Sequence, residues 1–106
     1  MPKYLIQASY TVEGAKGLLK DGGTKRRQAA EAAFKSAGAR VEAFYFAFGD
    51  NDAFVIVDAP DHASVVAASA AVNASGAVTA KTTVLLTPEE IDQAVKKGVS
   101  YTPPGR

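Results

Sequence analysis

The chain has 106 residues, of which 47% are hydrophobic and 22% charged, and its formal net charge is +1. That length fits one domain, residues 1–106, and the balance excludes a disordered tail, a collagen-like repeat and a coiled coil. With no cysteine and one histidine, disulfides, thiolate metal sites, cysteine nucleophiles and a histidine-based zinc site are excluded as well.

Residues 3–10, KYLIQASY, are rich in aromatic and branched side chains and predict a strand. Residues 12–20 predict a short helix weakened by Gly14 and Gly17 and stopped at Asp21-Gly22-Gly23. Thr24 is the expected cap of a second helix, KRRQAAEAAFKSAG, with an apolar stripe of Ala29, Ala30, Ala33, Phe34 and Ala37. Its first turn holds Lys25, Arg26 and Arg27, which oppose the helix dipole. Ala39–Phe48 and Ala53–Asp58 predict a β-hairpin across the turn residues Gly49-Asp50-Asn51-Asp52. Asp61 is the expected cap of an alanine-rich helix over 62–74, and Ala77–Leu86 alternates as a fourth strand. Thr87-Pro88-Glu89-Glu90 is a capping-box sequence with proline at the first helical position, opening a last helix that ends at Gly98. The tail is Tyr101–Arg106.

The order is β-α-β-β-α-β with one extra helix. It predicts an α+β fold of the ferredoxin-like kind, a four-stranded antiparallel sheet with both main helices on one face.

Alternation then divides each strand between two faces. The small apolar sets Tyr4, Ile6, Ala8, Tyr10, then Val41, Ala43, Tyr45, Ala47, then Val78, Ala80, Thr82, Val84, Leu86 are assigned to the helix side. A hairpin loop of two or four residues would set Phe48 opposite Ala53, Phe46 opposite Val55 and Phe44 opposite Val57. The uncovered face would then carry Phe44, Phe46, Phe48, Val55, Val57 and Leu5. Such a patch exceeds what monomers usually leave open, so a second copy is expected to cover it, sheet against sheet. Phe44, Phe46, Phe48 and the tail residue Tyr101 are the expected interface. Gln7, Ser9, Lys81 and Thr83 lie on the same face. With Phe44 and Phe46 they form the expected wall of a small-molecule pocket between the sheets. Glu42 is the one acid of that face in the preferred register, and hence the candidate base of a cofactor-free oxygenase or isomerase. Glu42 and Lys81 sit on opposite edge strands, so they are expected to meet only across the dimer. A purely structural assembly module is the remaining alternative.

MPKYLIQASYTVEGAKGLLKDGG, FYFAFGDNDAFVIVDAPD, KTTVLLTPEEID and YTPPG resemble the GYD-domain proteins, a family of small bacterial proteins of unknown function. Asn51 stands where the family's name-giving tyrosine falls. The resemblance implies kinship with dimeric α/β-barrel proteins, among them cofactor-free monooxygenases and haem-dependent chlorite-dismutase-like proteins. It carries no activity with it.

The remaining features suggest no separate chemistry. His62, at a helix start, reads as a surface histidine rather than a haem ligand. Asp50 and Asp52 read as turn residues, too few for a hard-metal site. Lys25-Arg26-Arg27 reads as a solvated face, because a charge of +1 and the missing basic-glycine-aromatic signature argue against nucleic acid. No cofactor, metal or membrane contact is expected. The expected partner is a second copy, or a higher homo-oligomer of dimers. Without a signal-peptide pattern or cysteine, the expected location is cytoplasmic.

Overall fold

The computed structural model describes all 106 residues, Met1–Arg106. Its elements run β1 (Lys3–Tyr10), α1 (Val12–Asp21), α2 (Gly23–Ser36), β2 (Arg40–Phe46), β3 (Ala53–Asp58), α3 (His62–Ala74), β4 (Val78–Leu85) and α4 (Pro88–Val95). The sheet is antiparallel throughout, in the order β2-β3-β1-β4. This is the α+β, ferredoxin-like arrangement read from the sequence. The first crossover is made by two helices, broken at Gly22, whose φ of 82° suits glycine.

Two caps form as read. Asp61 accepts the Ser64 amide of α3 at 2.8 Å. The box before α4 is reciprocal: the Glu90 amide donates to Thr87 Oγ1 at 3.1 Å, and the Thr87 amide donates to Glu90 Oε1 at 3.0 Å. Thr24 is not the cap of α2. That helix starts two residues earlier than expected, at Gly23, with Gly22 before it and no side chain capping its amides.

The core lies between the helices and one face of the sheet. Tyr4, Ile6, Val55 and Val57 meet Phe34 of α2 and Val65 and Ala68 of α3. Val55 and Val57, expected on the uncovered face, are therefore core residues.

The hairpin also departs from expectation. Its loop spans six residues, 47–52, and Phe46 rather than Phe48 faces Ala53. A β-bulge at Glu42 shifts the register between Val41 and Ala43, so Glu42 has no partner of its own on β3. One extra residue reverses the side-chain parity beyond it. Phe44 and Phe46 consequently sit on the helix side, packed edge to face with ring centroids 5.1 Å apart. Ala43 and Tyr45 take the open side, opposite to their assignment. Phe48 belongs to neither face; it lies in the loop, fully exposed.

At the other end of the domain, α1 lies close against the residue before β4. The Thr11 amide donates to the Ala77 carbonyl at 3.0 Å, and Thr11 Oγ1 donates to the Gly76 carbonyl at 2.8 Å. A Cβ on Gly14 would lie 1.9 Å from the Ala77 oxygen, whereas one on Gly17 meets nothing within 4 Å. The tight contact explains glycine at 14 in a helix that would otherwise favour alanine. Gly14→Ala should cost about 1–3 kcal/mol by forcing α1 off the sheet. Gly17→Ala should gain about 0.5–1 kcal/mol. Urea denaturation of the two variants checks both signs.

The helix α4 stands apart. All eight of its residues are exposed, including Ile91 and Val95 on one side. The radius of gyration is 17.0 Å, against about 13 Å for a compact domain of this length. Thr87→Ala should weaken α4 by about 1 kcal/mol and leave the main unfolding transition in place. Amide exchange at residues 88–95, measured beside a thermal melt, separates the two effects.

Candidate functional site

Two surfaces compete for function, and the sheet separates them. The open face is built in rows across the four strands. One row is Ala43, Ile56, Leu5 and Thr83; the next is Tyr45, Phe54, Gln7 and Lys81. Leu5, Phe54 and Ile56 are half-buried by their neighbours, while Tyr45 is 71% exposed. No helix covers this side. Of the residues read as pocket wall, Gln7, Lys81 and Thr83 do lie together here, with Ser9 one row beyond. Phe44 and Phe46 do not; the bulge carries both to the opposite side.

The third row ends this face in charge. Asp58 is buried, and both its carboxylate oxygens are bonded: Lys3 Nζ donates to one at 2.7 Å and an Arg40 guanidinium nitrogen to the other at 2.6 Å. Lys3 also donates to Glu42 Oε2 at 2.9 Å. The Lys3 ammonium, and then the Arg40 guanidinium, hold the Asp58 carboxyl below its ordinary range. Asp58, and then Glu42, hold the Lys3 ammonium above its own. Glu42 is thus an exposed member of an ionic cluster at the sheet edge. It lines neither of the two principal cavities.

One turn residue, Asp52, bonds back to the sheet. Asp52 Oδ2 accepts the Tyr10 amide at 2.7 Å, and the Asp52 amide donates to the Ala8 carbonyl at 2.8 Å. The β2–β3 loop is thereby tied to the end of β1. His62 has a partner the sequence did not reveal: its Nδ1 lies 2.7 Å from the hydroxyl of buried Tyr4. Both line a groove of about 460 Å³ under α3, beside Val84.

On the helix side lies a cavity of about 380 Å³, walled by α2, α3 and the sheet. Fifteen of its eighteen lining residues are hydrophobic. Ala30, Ala33 and Phe34 come from α2, Ala71 and Val72 from α3, and Ile6, Phe44 and Val55 from the floor. Ala29, Ala71 and Ser75 on its rim are exposed, so it reaches the surface. Arg26 is its only charged residue. The sequence reading placed Arg26 on a solvated face; its signal was a cationic first turn that opposes the helix dipole. No group of three or more metal-ligating side chains is present, and no helix is long and apolar enough to cross a membrane.

Asp58 gives the protein a sign for its acid response. Its carboxyl binds protons more readily unfolded than folded, so its contribution is full above the unfolded value near 3.9. It is lost as the pH falls through the lower folded value. Asp58→Asn should therefore cost about 1–3 kcal/mol at pH 7, and the gap to the parent protein should close in strong acid. Urea midpoints across pH 2–7 check this.

No curated protein and no solved structure matches the chain. The GYD domain family matches it over residues 4–95, from the first residues of β1 to the last residue of α4. With 106 residues in all, the chain belongs to the GYD domain family.

Proposed function

We propose that this GYD-domain protein is a homodimeric small-molecule-binding module. The observation that carries the reading is the helix-side cavity. It opens to solvent past Ala29, Ala71 and Ser75, and fifteen of its eighteen lining residues are hydrophobic. Such a space is filled by water or by a ligand, and walls this apolar favour the ligand.

The dimer rests on the open face. Leu5, Phe54, Ile56 and Tyr45 form an apolar band there, taking the place of the phenylalanines expected from the sequence. Leu86, Ile91, Val95 and Tyr101 add exposed apolar surface beyond the sheet. An eight-residue helix seldom holds alone in water, so α4 and the tail are read as arms that close on the partner. Two open faces stacked about 10 Å apart would form the barrel. The reading moves the ligand site from the space between the sheets to the helix side. The alternative of a cofactor-free oxygenase or isomerase would need Glu42 as its base, and in this chain Glu42 is bonded to Lys3 and lines neither cavity.

Sedimentation at micromolar concentration should give at least twice the chain mass of 11.0 kDa. Native mass spectrometry of protein from its own host should show a retained small molecule. Tyr45→Asp puts an unpaired charge into the closed face and should yield a folded monomer, with circular dichroism unchanged. A monomeric parent protein would overturn the dimer. A parent protein that holds nothing, and whose stability rises when Ala33→Phe fills the cavity, would overturn the ligand.

A further inference from the structure

We infer that the helix-side cavity selects an apolar monoanion, a carboxylate on a flat or extended hydrocarbon, with Arg26 as the residue that recognises its charge. The inference rests on the ligand-binding reading above and names the chemical class of the ligand. Its basis is the charge distribution of one helical turn. Lys25 pairs with Asp21 at 3.9 Å, and Arg27 pairs with Glu31 at 3.6 Å. Arg26, between them, makes no ion pair and no side-chain hydrogen bond. It is half-buried and lines the cavity.

No aspartate or glutamate lines the cavity to balance it. The other polar side chains on the wall are occupied, apart from Tyr10. Ser69 bonds to Thr82 Oγ1 at 3.2 Å, and Ser75 Oγ donates to the Val72 carbonyl at 2.7 Å. The Tyr10 hydroxyl has no partner. The site therefore offers one free cation and one free hydroxyl against walls of alanine, valine and phenylalanine. A guanidinium presents paired donors that match a carboxylate. A neutral ligand would leave that charge unanswered, and a cation would be repelled. A polyanion such as a nucleotide would find one positive group and a dry wall.

The test uses 2-naphthoate and its neutral counterpart 2-naphthamide, titrated calorimetrically into the full-length protein and mapped by amide shifts. Naphthoate should bind at least about tenfold more tightly, with shifts at Ala30, Ala33 and Val72. Arg26→Gln should erase that preference without weakening the amide, and Arg26→Lys should restore part of it. Equal binding of the two probes would overturn the anion selectivity and leave the cavity as a ligand site. Failure of both probes to bind, or shifts confined to Leu5, Phe54 and Ile56 on the open face, would overturn the cavity reading as well.

Discussion

The arrangement of the whole protein depends on one extra residue in an edge strand. Side chains alternate along a strand, so a single unpaired residue exchanges the faces of everything after it. Before Glu42, Val41 faces the helices opposite Val57. After it, Phe44 faces the same way opposite Val55, and Ala43 and Tyr45 look outward. Without the bulge two phenylalanines would lie on the open face, and the space under α2 would lose its aromatic floor. The bulge also leaves Glu42 on the open side, where Lys3 holds it at 2.9 Å.

The two sides of the sheet consequently have different chemistry. The open side is apolar in its middle rows and ionic at one end, where buried Asp58 gathers Lys3 and Arg40. Such a cluster stays charged because each carboxylate oxygen has a donor, and it marks one limit of the apolar band. The helix side is apolar almost throughout, but it is not filled. Small residues, Ala29, Ala30 and Ala33 of α2 with Ser69 and Ala71 of α3, face the space, and larger side chains there would close it.

Local signals were legible in the sequence because they depend on few neighbours. β1, β3 and α3 have the bounds read from residue type, and the caps at Asp61 and Thr87 form as their side chains dictate. The strand order followed from topology alone. The faces of β2 were not legible, because ARVEAFYFAF carries no glycine or other mark of a bulge. Its pattern satisfies a regular strand equally well, and only the pairing with β3 decides. The polar set Gln7, Lys81 and Thr83 was placed correctly because β1 and β4 pair without interruption. Arg26 was visible as an oddity of charge but not as a cavity-lining residue. Its surroundings come from α3 and the sheet, distant in the chain.

Several features that look unfavourable one at a time have a counterpart on the helix side of the sheet. A glycine pair interrupts the first crossover, at a cost in helix propensity. Yet a Cβ on Gly23 would lie 2.9 Å from the Phe46 ring, so the second glycine makes room for an aromatic that the bulge has turned inward. Three cations open α2 against its dipole. Yet two are answered by acids one turn away, and the third stands at an apolar wall. Long alanine runs bury little area per residue. Yet they keep α2 and α3 from filling the space above Ile6 and Phe44. Of these three conflicts the alanine content is the one whose relief would close the cavity, because larger side chains on α2 and α3 would fill it.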